Sequence, residues 1–85
     1  MKTFLSVKLY GTPWCWLTNG FENYLRTMGI KFQRFDLEQD PEAERIIRGY
    51  FDGELKFPVL IIGSVILKNP TIQELNSTLH QVELL

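Results

Sequence analysis

Cys15 is the only cysteine in this 85-residue chain, and its neighbours suit it to chemistry. It follows Gly11-Thr12-Pro13-Trp14 and precedes Trp16-Leu17-Thr18. Directly after it, Leu17, Phe21, Tyr24, Leu25 and Met28 fall at helical spacing. A thiol in the first turn of a helix meets backbone N–H groups that lack intrahelical partners, and the positive end of the macrodipole. Both favour thiolate, the nucleophile of disulfide exchange. A lone cysteine is ordinarily a small buried hydrophobe. The helix start, with Pro13 and Pro58 in the surrounding pattern, turns the reading toward an accessible, reactive thiol. Thr18 lies one turn along the same helix face, where its hydroxyl can hydrogen-bond the sulfur but cannot close a disulfide.

The other residues with chemical potential read more plainly. Tryptophans flank the thiol and could form an apolar rim for a partner, since Trp is enriched in binding hot spots. Trp14 is expected to pack inward and Trp16 to face solvent. His80 is expected on an outer helix face without a catalytic role. Asp36, Glu38, Asp40, Glu42 and Glu44 read as a solvated loop and helix start.

Composition excludes several classes of function. The chain is 45% hydrophobic and 22% charged, without low-complexity tract, repeat or linker, which suits one domain over residues 1–85. Its net charge of −1 supplies no broad field for nucleic acid or an anionic membrane. One cysteine excludes an internal disulfide and a cysteine-built zinc site, and His80 alone cannot supply the missing ligands. No stretch approaches the ~20 apolar residues needed to span a bilayer. The start, Met1 to Lys8, has a lysine within its apolar stretch and no small-residue cleavage pattern, unlike a signal peptide. A soluble, cytoplasmic chain is the expectation.

Seven elements can position the thiol. Ser6–Tyr10 reads as a strand broken by Gly11-Thr12-Pro13. The helix from Trp16 to Met28 should end at Gly29 in the left-handed conformation. Ile30–Leu37 reads as a second strand, with a parity shift near Gln33–Arg34 that suggests a bulge or an edge. Asp40-Pro41-Glu42 starts a helix with an N-cap acceptor, a proline at the first helical position and acids on the dipole. Ala43, Ile46, Ile47 and Tyr50 give that helix an apolar face, and Gly49 or Gly53 should end it.

Phe57–Ile62 reads as a buried strand with Pro58 at its mouth. A cis Phe57–Pro58 bond is expected there, a geometry that costs X–Pro only ~0.5–1 kcal/mol. Gly63-Ser64 is too short for a parallel crossover, so Val65-Ile66-Leu67 should return antiparallel. The last helix starts at Asn69 or at a Thr71–Glu74 capping box, and Ile72, Leu75, Leu79 and Val82 should face inward.

Val7-Lys8-Leu9-Tyr10-Gly11-Thr12-Pro13-Trp14-Cys15, followed by a helix, resembles the active-site strand and loop of glutaredoxins, especially the small glutaredoxin-like electron carriers and mycoredoxins. Asp36 with Asp40-Pro41-Glu42-Ala43, then Phe57-Pro58-Val59-Leu60-Ile61-Ile62, then Asn69-Pro70-Thr71 with Glu74-Leu75, extend the similarity over nearly the whole chain. The resemblance implies an α/β fold, a thioredoxin-like βαβαββα sandwich with a four-stranded mixed sheet and Pro58 facing the thiol. It implies Cys15 as catalytic residue and Thr12, Pro13, Trp16, Thr18, Phe57, Pro58 and Thr71 as the substrate-binding surroundings. The chain also departs from the family. Thr18 replaces the resolving cysteine of dithiol members, and Trp16 replaces the glycine usual in cluster-binding monothiol members. Thr12 stands where many glutathione-using members have a lysine, and Pro70-Thr71 where they have an acidic pair.

The reading is a monothiol thiol–disulfide oxidoreductase acting on protein or small-thiol mixed disulfides. It has no tightly bound cofactor or metal, and a low-molecular-weight thiol such as glutathione serves as co-substrate. A monomer without nucleic-acid or membrane partners is expected. The alternatives are a redox-inactive binding or adaptor module that keeps the fold, and an iron–sulfur carrier, which Trp16 disfavours.

Overall fold

The architecture is known from a computed structural model that describes residues 6–82 and 84. The segment Met1–Leu5, which begins the stretch unlike a signal peptide, lies outside the described residues. The elements run β1 (Val7–Gly11), α1 (Trp16–Thr27), β2 (Gln33–Asp36), α2 (Pro41–Tyr50), β3 (Val59–Ile62), β4 (Val65–Lys68) and α3 (Ile72–Gln81). The sheet order is β2-β1-β3-β4, with β1 parallel to β2 and antiparallel to β3, and β4 antiparallel to β3. This is the expected βαβαββα sandwich on a mixed sheet.

The alternation of the two central strands sorts their side chains between two cores. Val7 and Leu9 of β1 and Leu60 and Ile62 of β3 pack with Phe21 and Leu25 of α1 and Leu75 and Leu79 of α3. Tyr10, Val59 and Ile61 point the other way, onto Ala43 and Ile47 of α2. All four residues of β3 are therefore buried, as a strand covered on both faces requires. Tyr10 paired with Val59, and Leu9 with Leu60, fix where β1 ends and hence where the thiol loop begins.

Helix boundaries follow local chemistry. The Asp40 carboxylate accepts from the Glu42 and Ala43 N–H groups, with Pro41 in the first turn. At α3 the capping box forms between Thr71 and Glu74, and Asn69 takes a left-handed φ of 43° instead of capping. Gly53, not Gly49, closes α2: its φ is 88°, and its N–H donates to the Arg48 carbonyl at 2.7 Å.

β2 is shorter than the apolar pattern of Ile30–Leu37 predicts, and the difference lies in how α1 ends. Gly29 is left-handed at φ 72°, its N–H reaches the Arg26 carbonyl at 3.0 Å, and the Ile30 N–H reaches the Leu25 carbonyl at 2.9 Å. That is a Schellman closure, and its customary apolar contact is the burial of Ile30 beside Leu25. Ile30 thus belongs to the helix cap. The strand starts at Gln33 as a sheet edge, and no bulge is needed. Two further inward expectations fail: Ile72 is 46% exposed and Tyr50 53% exposed, each at the end of its helix where the packed layer runs out.

Candidate active site

The loop from Thr12 to Cys15 is a tight turn that delivers the chain from β1 into α1. The Cys15 N–H donates back to the Thr12 carbonyl at 3.2 Å, and the Asn19 side-chain amide holds the Pro13 carbonyl at 3.3 Å from the helix side. Cys15 is the N-cap itself, one position earlier than a first-turn residue, with extended backbone at φ −85° and ψ 112°. Its carbonyl accepts the Asn19 N–H at 3.1 Å and its side chain makes no capping hydrogen bond. Cys15 is half-buried as a residue.

α1 has no acidic residue in its first turn, so nothing anionic competes with a thiolate for its amide donors. Partial burial pushes the Cys15 thiol up. The Thr18 hydroxyl and the N–H groups of Thr18 and Leu17 pull it down by more, and the net position is below the ordinary cysteine value. The Thr18 side chain is fully buried, and its Oγ1 has no hydrogen-bond partner. Thr12 Oγ1 is likewise buried and without a formed partner.

Trp14 corrects the sequence reading. Its indole is 63% exposed and does not pack inward. The ring meets Phe57 edge-on at 5.6 Å, and Nε1 donates to Glu38 Oε2 at 2.7 Å. An indole N–H needs an acceptor, and the apolar cores offer none. Trp14 therefore ties the thiol loop to the segment after β2 and to the residue before Pro58. Glu38, read as part of a solvated acidic loop, is half of that tie. The signal available in the sequence was the pairing of an indole donor with a loop rich in carboxylates.

The remaining predicted residues fall into three places. Thr12 and Thr18 lie buried beneath the loop, while Pro13 is exposed on it. The Phe57–Pro58 bond is cis; Pro58 is buried, and its carbonyl accepts the Asn69 N–H at 2.8 Å. The Trp14–Phe57 contact brings this segment beside the thiol loop. Trp16, 79% exposed as expected, and Thr71 line an apolar groove of about 550 Å³ with Leu17, Gly20, Tyr24 and Ile72. The Thr71 hydroxyl is occupied by the capping box, accepting the Glu74 N–H at 3.0 Å. His80 is exposed on α3, away from these groups in the chain and on an outer face. Among the described residues no cluster of three or more His, Cys, Asp or Glu side chains could hold a metal ion.

A family model for glutaredoxin matches residues 7–67, which contain β1 through the antiparallel return of β3 and β4. The chain belongs to the glutaredoxin family. No curated protein matches it by sequence. Solved structures extend the fold comparison to nearly the whole chain. A mutant of the thioredoxin-like protein BC3987 superposes with a TM-score of 0.80 at 19% identity, covering 88% of this chain and 95% of that one. The glutaredoxin-like NrdH-redoxin from Escherichia coli gives 0.73 at 19% identity, over 85% and 92% of the two chains. A buckwheat glutaredoxin–glutathione complex gives 0.72 at 13% identity, over 92% of this chain and 76% of that one. Glutaredoxins use glutathione as a co-substrate. Within this glutaredoxin, Thr18 stands at the third place after the thiol. Among the described residues no helix is long and apolar enough to cross a membrane.

Proposed function

We propose that this glutaredoxin is a monothiol thiol–disulfide oxidoreductase. The Cys15 thiolate attacks the small-thiol sulfur of a mixed disulfide, a new S–S bond forms between Cys15 and that small thiol, and the protein thiolate leaves. A second small thiol, as thiolate, then attacks the adduct; Cys15 leaves as thiolate and a small-molecule disulfide carries away the two oxidising equivalents. No step requires a second cysteine in the chain, a metal or a bound cofactor.

The observation that carries this reading is the half-buried Cys15 at an uncapped helix start, with Thr18 and the first-turn amides supplying donors for the charged form. The Phe57 main chain ahead of Pro58 is the peptide edge offered to the substrate. The groove beside Trp16 takes the substrate's apolar flank. Its lining contains no charged side chain, which suits a protein segment better than the two carboxylates of glutathione. The small thiol is then bound chiefly at its sulfur and backbone. The protein acts as a monomer in the cytoplasm.

Treatment of the reduced protein with a small-molecule disulfide, followed by mass spectrometry, tests the mechanism. One adduct per chain is expected at Cys15, stable until an external thiol is added. Thr18→Cys should eject the adduct and leave an internal disulfide. A folded protein whose Cys15 stays unmodified under conditions that modify the unfolded chain would support the adaptor reading instead.

A further inference from the structure

Trp14 is held from two directions although most of it faces water. A large indole that is 63% exposed gains little from burial. Its ring nevertheless meets Phe57 edge-on at 5.6 Å, and its Nε1–H donates to Glu38 Oε2 at 2.7 Å. That hydrogen bond is open to water, where such a bond adds little to folding. Stability therefore does not account for the tie, and its place in the molecule does.

The tie sits between two segments that leave the central strand pair at the same end. β1 and β3 are in register as far as Tyr10 and Val59. Past that pair, residues 12–15 run to the thiol and residues 55–58 run into β3. Among the described residues no hydrogen bond joins these two stretches. The Trp14–Phe57 contact spans them, and Glu38 fixes the indole from outside both.

Glu38 reaches from a firm base. Its own N–H donates to Asp36 Oδ1 at 2.9 Å, and the Asp36 carbonyl accepts the Gln39 and Asp40 N–H groups. Leu37, just before it, is buried, and its N–H donates to the Gly11 carbonyl at 2.9 Å. The backbone that carries Glu38 is thus fastened to the end of β1, where the thiol loop begins.

We propose that Glu38 is a positioning residue for the substrate: its carboxylate holds the Trp14 indole against Phe57, and that pairing fixes the spacing between the Cys15 loop and the Phe57 main chain. A protein disulfide needs both at once, its sulfur at Cys15 and its backbone along Phe57. A small disulfide needs only the thiol. The inference rests on the oxidoreductase reading above, with the Phe57 main chain as the peptide edge. Glu38 acts through Trp14 and not on the sulfur.

The test compares two substrates on the full chain, a glutathionylated peptide and bis(2-hydroxyethyl) disulfide, with glutathione as reductant. Glu38→Ala should raise KM for the peptide about three- to tenfold, the effect of one lost hydrogen bond, and leave kcat within about twofold. Turnover of the small disulfide and iodoacetamide labelling of Cys15 should also stay within about twofold. Glu38→Gln keeps an oxygen acceptor and should restore most of the wild-type KM. Trp14→Phe keeps a ring beside Phe57 but loses the donor, and in that background Glu38→Ala should add nothing. Glu38 is exposed, so its variants should fold, and circular dichroism checks each one.

Equal losses on both substrates would place the effect on the thiol or the fold and overturn the proposal. An unchanged peptide KM in Glu38→Ala, or an added loss in the Trp14→Phe background, would overturn it as well. So would a Glu38→Gln that behaves like Glu38→Ala, since the substrate would then be meeting the carboxylate charge itself. A wild-type chain that turns over neither disulfide would contradict the oxidoreductase reading, and the proposal with it.

Discussion

The starts of α1 and α2 are built for opposite ends. At α2 the Asp40 carboxylate takes the Glu42 and Ala43 N–H groups, and Glu42 and Glu44 add negative charge in the first turn. α3 is finished the same way by Thr71 and Glu74. At α1 the capping position holds Cys15, whose side chain caps nothing, and the first turn carries no acid. A helix start with unused amide donors costs stability that a Ser, Asp or Asn would restore. What it keeps is a set of first-turn donors that no side chain occupies, at the half-buried Cys15. The contrast separates a terminus built for the fold from one built for an anion that forms on demand.

The largest effect should fall on the strand under both helix starts, and it should not distinguish them. Leu60 is fully buried between β1 and the α1/α3 layer, so Leu60→Ala should cost ~2–5 kcal/mol in denaturant melts. A loss under about half a kcal/mol would mean that β3 is not a central strand of the sheet. Next comes the conventional cap: Asp40→Ala should cost about 0.5–2 kcal/mol and leave the Cys15 titration where it was. A shift in that titration would show that the two termini are coupled.

The reverse experiment sharpens the comparison. Cys15→Asp replaces a non-capping side chain with a good cap and should stabilise the chain by about 0.5–1 kcal/mol while abolishing adduct formation. A destabilised Cys15→Asp would show that the α1 amides are not available to an anion. The smallest effect is the pH dependence. Because the folded-state pKa of Cys15 lies below the unfolded value, its contribution is fully present above the unfolded cysteine value. That contribution is lost as pH falls through the folded pKa. Melting temperature should therefore rise slightly as pH increases across that window, and Cys15→Ser should remove the rise.

Much of this contrast is legible in the residues. Asp40-Pro41 and Thr71 with Glu74 announce their helix starts through local chemistry, and the short Gly63-Ser64 connection dictates an antiparallel return. The placement of Cys15 before an amphipathic run is equally local. Features that depend on which elements cross are not. Ile30 looks like a strand residue by polarity, and only the cap around Gly29 assigns it to the end of α1. Trp14 turns outward because its N–H finds Glu38, far along the chain, and no periodicity encodes that pairing. Gly11 reads as a strand breaker, and its fit against Thr18 exists only once α1 is laid over the end of β1.

Thiol chemistry at this site depends on the charge state of one sulfur. A pH titration of Cys15 in the folded protein, followed by thiolate absorbance with iodoacetamide labelling rates as a check, addresses it directly. The uncapped α1 amides and the Thr18 hydroxyl predict a pKa below the free-cysteine value of about 8.5. A value at or above it would mean that these donors do not reach the sulfur, and the site would have to be read as a binding surface without thiol chemistry.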